Sequence, residues 1–127
     1  MPEAVRILCV DDEPTILSLE RRLLESDGFT VFTAACGQDA IHIFEDEPVD
    51  IVLMDYWMTG MNGIDAAGHM KRLHPDVPIV FFSAYSELPS ESLGLAETWL
   101  RKGQENPEDI ISLLRSIARR AALARAS

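Results

Sequence analysis

The side chains best suited to chemistry in this chain stand directly after short apolar runs. Asp11, Asp12 and Glu13 follow Ile7-Leu8-Cys9-Val10, and Asp55 follows Ile51-Val52-Leu53-Met54. Ser83 follows Ile79-Val80-Phe81-Phe82, and Lys102 follows Thr98–Arg101. Carboxylates gathered at one place repel one another unless a cation sits among them. A few hard oxygen donors with room for water suit Mg²⁺ or Mn²⁺ better than zinc. A hydroxyl and an ammonium at the same edge make an anion site, with Lys102 as point charge and Ser83 as a directed hydrogen bond. A phosphoryl group carried on Asp55 would then be held by Mg²⁺, Lys102 and Ser83 together. Phosphoryl transfer asks little of a protein beyond such positioning and charge compensation.

Each residue also has a plainer use. Asp12 or Glu13, ahead of Pro14, suits a helix N-cap. Ser83 suits a turn, and Lys102 a solvated strand end. Asp55 is harder to explain this way, because a lone acid directly after four apolar residues is poorly placed for solvation. The joint occurrence at the ends of apolar runs favours the chemical reading.

The elements that must position these groups can be read from periodicity. Near-continuous apolar runs without alternation mark strands covered on both faces, as in a parallel sheet. Ile7–Val10, Ile51–Met54 and Ile79–Phe82 are of this kind, and Thr30–Ala34 and Thr98–Arg101 are weaker strand candidates. Helical stripes lie between them. Ile16, Leu19 and Leu23 form one, opened by Pro14 and closed by Gly28. Ala40, Ile41 and Phe44 form a second, and Ile64, Ala67, Met70 and Leu73 a third, stopped by Pro75. The final helix, over about 107–124, carries Ile110, Leu114, Ile117 and Ala121 behind the cap sequence Asn106-Pro107-Glu108-Asp109. Between the fourth and fifth strands, Pro89 and Gly94 leave room for a short or irregular fourth helix. Strands alternating with helices predict an α/β fold, a flavodoxin-like doubly wound five-stranded parallel sheet of order 2-1-3-4-5 with helices on both faces. In such sheets a ligand binds beyond the carboxyl ends of the strands, at the switch point between the first and third. Asp11, Asp12 and Asp55 are expected there.

Composition narrows the function classes. The 127 residues suit one domain, with 47% hydrophobic and 25% charged residues. No apolar run approaches the roughly 18 residues needed to span a bilayer, and no signal peptide is visible. Cys9 and Cys36 lack metal-ligand spacing and suit a reducing, cytoplasmic setting. The net charge is −10, and all 21 acids lie between Glu3 and Asp109. An acidic body repels nucleic acid and anionic membranes and attracts cations. Beyond Ile110 the only charges are Arg115, Arg119, Arg120 and Arg125, a set better explained as a helix end complementing its dipole than as a nucleic-acid contact.

Asp11-Asp12, Asp55, Met58, Met61-Asn62-Gly63, Ser83-Ala84 and Lys102, in this order and at nearly these spacings, resemble the receiver domain of two-component response regulators. The resemblance covers essentially the whole chain as a single domain, 1–127, and each motif alone is weak. It implies that Asp55 is the phosphoacceptor, charged by a histidine kinase or a phosphotransfer protein. It implies Mg²⁺ held by Asp11, Asp12, Asp55 and the backbone carbonyl of Trp57. Ser83 would be the switch hydroxyl, Lys102 the phosphate-binding lysine and Trp99 the switch aromatic. Such a protein is a switch more than a turnover enzyme, catalysing its own phosphorylation and slow dephosphorylation and biasing a surface that a downstream effector reads.

The sequence departs from the family at four places. Thr59-Gly60 replaces a proline four residues after the acceptor, which loosens that turn. The lysine is followed by Gly103 instead of a cis proline, so a trans bond is expected, since a cis peptide without proline costs about 2.5–4 kcal/mol. The stretch from Ser83 to Lys102 is shorter than usual, consistent with a curtailed fourth helix and a different output surface. Trp57 and Tyr85 occupy the two positions that, in the family, line the approach of the hydrolytic water, and two large aromatics would exclude it.

Two other readings compete. A receiver-like interaction module that no longer switches by phosphorylation would explain Thr59, Gly103 and the shortened fourth helix, but not the retention of every charged site residue. A metal-dependent hydrolase lacks a general base beyond the carboxylates, because His42, His69 and His74 are expected on helices or a helix end. No output domain is legible after the final helix.

Overall fold

The computed structural model describes residues 4–56, 63–83, 98–101 and 106–126, with backbone alone for 98 and 99. The strands are β1 (Arg6–Val10), β2 (Thr30–Ala34), β3 (Ile51–Asp55), β4 (Ile79–Ser83) and β5 (Thr98–Arg101). The helices are α1 (Pro14–Ser26), α2 (Gly37–Asp46), α3 (Gly63–Leu73) and α4 (Pro107–Ala126). All strand pairs are parallel and the sheet order is β2-β1-β3-β4-β5, as the periodicity predicts. The expected short helix between β4 and β5 falls outside the described residues.

Alternation along the strands divides the core into two layers. Leu8, Val10, Val52, Met54 and Phe81 face Ala40 and Phe44 of α2 and Ala66, Ala67 and Met70 of α3. Ile7, Cys9, Ile51, Leu53 and Val80 face Leu24 of α1 and Leu114, Ile117 and Ala118 of α4. Because successive residues of β1 and β3 feed opposite layers, both faces must be apolar. This is why the two strands read as unbroken apolar runs. Leu114 is fully buried, and a side chain of that kind contributes roughly 1.5–3 kcal/mol through burial.

Local chemistry sets the helix ends, with some differences from expectation. The side chain of Glu13 does not cap α1, against one of the two expectations for that helix start. Glu13 holds the N-cap position without a side-chain bond, and its own N–H donates to Asp11 Oδ1 at 2.9 Å. At the other end, Gly28 adopts φ of 93°, and the N–H groups of Gly28 and Phe29 donate to the Glu25 and Leu24 carbonyls. That pair of bonds is a Schellman motif, and it requires the left-handed backbone that glycine adopts without strain. Cys36 supplies the α2 cap, its sulfur accepting from the Asp39 N–H at 3.5 Å. At α4, Asn106 Oδ1 accepts from the Glu108 N–H at 2.9 Å, as the cap sequence predicts. That helix continues two residues past the expected end, to Ala126.

The basic final segment is tied into the body. Arg115 donates to the side chain and carbonyl of Asp27, at 2.6 and 2.7 Å, and lies 4.5 Å above the Phe29 ring. Arg125 reaches Asp50, which also pairs with Arg6. Two of the four arginines therefore fasten α4 to the ends of α1 and of the sheet. Among the described residues, no helix is long and apolar enough to cross a membrane.

Candidate functional site

Strand register brings the sequence-predicted acids to one edge. Val10 pairs with Met54, so the residues that follow, Asp11 and Asp55, come level at the carboxyl ends of β1 and β3. Asp55 and Ser83 are the last residues of their strands, not the first of the loops, and both are therefore held by the sheet. On the other side of β3, Asp55 pairs with Phe82, which puts Ser83 one step beyond it. Ser83 pairs in turn with Arg101, the residue before Lys102.

Asp11, Asp12 and Asp55 each offer a carboxylate oxygen, and these oxygens lie within 4.8 Å of one another. Asp11 is 1% exposed, Asp55 6% and Ser83 0%, whereas Asp12 is half-buried and opens the cluster to solvent. Backbone bonds fix Asp11, whose N–H donates to the Ala34 carbonyl of β2 at 3.2 Å while its Oδ1 takes the Glu13 N–H. Three hard, anionic donors brought together with a route to water fit a small divalent cation, and the absence of sulfur or imidazole donors from the set disfavours zinc. No other group of three His, Cys, Asp or Glu side chains converges in this way among the described residues.

The surroundings set what else the site can do. Cys9 lies in β1, two residues before Asp11, and is fully buried. Burial foremost, then the charges of Glu20 and Asp11, push its thiol well above the ordinary value, so it stays protonated and serves as packing. Tyr56, directly after Asp55, is buried edge-on against Phe81, with ring centres 5.4 Å apart at 85°. That contact holds the chain beneath the acid. His42 lies in α2, His69 in α3 and His74 just past α3, none of them in the carboxylate cluster. An apolar groove of about 330 Å³ lies elsewhere, between α1 and α4, lined by residues such as Leu19, Leu23, Phe82 and Ile110. Among the described residues its one charged side chain is Glu20, so these residues do not make a second acidic centre.

Trp57, Thr59, Tyr85, Lys102 and Gly103 lie outside the described residues, as does the side chain of Trp99. Of the predicted set, the structure thus brings together Asp11, Asp12 and Asp55, with Ser83 at the same strand edge. It adds one residue that the sequence marks only as the end of Met61-Asn62-Gly63. Gly63, the first residue of α3, packs directly on the end of β3, its N–H donating to the Tyr56 carbonyl at 2.8 Å. A glycine at a helix start is the sole sequence signal, and it does not say which backbone approaches.

A family model described as the response regulator receiver domain matches residues 7–99. The transcriptional regulatory protein CpxR of Escherichia coli is 33% identical over 119 residues, covering 91% of this chain and 50% of CpxR. The chain spans about half the length of the curated relatives it matches. Among solved structures, the CheY-like receiver domain protein of Methanospirillum hungatei superposes with a TM-score of 0.90 at 25% identity, covering 96% of this chain and 99% of that one. The response regulator TrrA of Thermotoga maritima, solved in complex with Mg(2+)-BeF, gives a TM-score of 0.82 at 30% identity over 89% of this chain and 98% of its own.

Proposed function

The chain belongs to the response regulator receiver family, and from that premise we propose that it is a phosphorylatable switch whose acceptor is Asp55. The observation that carries this reading is the convergence of Asp11, Asp12 and Asp55 within 4.8 Å at the carboxyl ends of β1 and β3. Carboxylates so crowded are held at a cost in repulsion that a bound cation removes. The complex of TrrA with Mg(2+)-BeF supports Mg²⁺, or the similar Mn²⁺, as that cation. Asp11, Asp12, Asp55 and the Trp57 carbonyl would hold it, and when bound it supplies positive charge that neutralises phosphoryl oxygens.

The protein's own groups carry the rest. A carboxylate oxygen of Asp55 forms a bond to phosphorus as the donor's bond to phosphorus breaks, the donor leaving with that electron pair. The donor is a phosphohistidine of a histidine kinase or phosphotransfer protein. Asp55 is nearly buried at the end of a five-residue strand, so its attacking oxygen is oriented before the donor arrives. Lys102 and Ser83 hold the acyl phosphate, and Trp99 follows the Ser83 hydroxyl in switching the output surface toward a downstream effector. The setting is cytoplasmic, in keeping with two free cysteines. Turnover is confined to slow loss of the phosphoryl group to water.

Intact-protein mass spectrometry after incubation with acetyl phosphate tests the proposal. One phosphoryl-sized addition is expected on the wild type, and none without Mg²⁺ or on Asp55→Asn. An addition that persists in Asp55→Asn would refute the acceptor assignment. No addition on a chain that still binds Mg²⁺ and also refuses a phosphorylated phosphotransfer protein would favour the receiver-like interaction module that no longer switches.

A further inference from the structure

Gly63 opens α3 against the main chain that carries Asp55. A methyl group at this position would lie 2.7 Å from the Asp55 carbonyl oxygen, 2.9 Å from Tyr56 Cα and 3.1 Å from the Tyr56 carbonyl oxygen. All three are backbone atoms, so no side chain can rotate away to make room. The helix cannot easily back off either. Ala66, Ala67 and Met70 of the same helix are fully buried against the sheet, and retreat would open that layer of the core. The end of β3 is the part left to yield, and it holds the acid.

We propose that Gly63 is a positioning residue of the carboxylate site, keeping the Asp55–Tyr56 backbone where Asp55 meets Asp11 and Asp12. The inference rests on the reading of those three acids as metal ligands. Groups that orient a metal ligand typically cost about 10- to 100-fold in metal affinity when they are lost. Gly63→Ala is therefore expected to weaken Mg²⁺ binding by at least about tenfold. The same substitution should move the amide resonances of Asp55 and Tyr56.

The control is Ile117→Ala, which opens a cavity in the layer on the opposite side of the sheet from α3 and lowers stability without touching the site. Mg²⁺ titration by calorimetry, well below either melting temperature, compares both variants with the wild type. Weakened binding in Gly63→Ala alone supports the inference. Wild-type affinity in Gly63→Ala, or equal weakening in both variants, overturns it while leaving the metal site intact. A wild type that binds no Mg²⁺ overturns the metal reading itself, and this inference with it. Should Gly63→Ala fail to fold, the comparison is made in a Gly68→Ala background, where α3 is a better helix former. Failure to fold there too overturns the inference, because the clash is then borne by the whole fold.

Discussion

Replacing Asp55 by asparagine should make the metal-free protein more stable. The perturbation removes one of three negative charges whose oxygens lie within 4.8 Å of one another, at almost unchanged side-chain volume. At that separation Coulomb's law with an effective dielectric near 20 gives about 3.5 kcal/mol of repulsion per pair. Solvent at half-buried Asp12 and nearby polar groups screen this substantially, so the expected net gain is roughly 1–3 kcal/mol. Urea denaturation at neutral pH in chelator, followed by far-ultraviolet circular dichroism, measures the difference. Raising the salt to about 1 M, where the screening length falls to about 3 Å, should shrink it. Mg²⁺ at 100 times its Kd should add about 2.7 kcal/mol to the wild type and much less to the variant. The reasoning fails if Asp55→Asn unfolds at lower urea than the wild type in chelator. It fails equally if Mg²⁺ stabilises both proteins alike.

Three further outcomes are expected. Gly68 lies within α3, where, among the described residues, an added methyl group would meet only the Arg72 guanidinium, at 4.0 Å, so Gly68→Ala should stabilise the protein by about 0.5–1 kcal/mol in urea denaturation. Burial pushes the Asp50 carboxyl up, but hydrogen bonds from Arg6 and the charges of Arg6 and Arg125 outweigh it and hold the group below the ordinary value. Its contribution is thus present above the unfolded-state pKa near 4 and is lost as pH falls through the lower folded-state value. Asp50→Asn should narrow the gap in stability between pH 6 and pH 3, and an unchanged gap would count against that ion pair. Trp57→Asn should speed loss of the phosphoryl group if the aromatic shields it, and an unchanged decay measured by mass spectrometry would remove that idea.

The strands and the three clustered acids were legible because their signals are local. Ile51–Met54 is apolar at every position since both faces of β3 are covered, and the polar residue that ends such a run falls at the strand edge. Chain order then does the rest, as right-handed crossovers leave few arrangements for alternating strands and helices. Helix ends were legible where one residue type does one job, as with Gly28 in its left-handed turn and Asn106 as a cap. The cap of α1 was not, because Asp11, Asp12 and Glu13 are interchangeable in a pattern and only their directions decide that Asp11 takes the Glu13 N–H.

The sequence by itself therefore determined the sheet, its order and the three acids that reach one edge. Only the tertiary structure decided how close their oxygens come and how far each is withdrawn from water. It also decided the pairings of Arg115 with Asp27 and of Arg125 with Asp50, which join residues far apart in the chain and leave no periodic trace. The close approach of Gly63 to the Asp55 backbone is of the same kind. Periodicity records which face of an element meets the core, because that depends on neighbours three or four residues away. Separations of a few ångströms depend on how whole elements seat against one another, and no stretch of sequence carries that information alone.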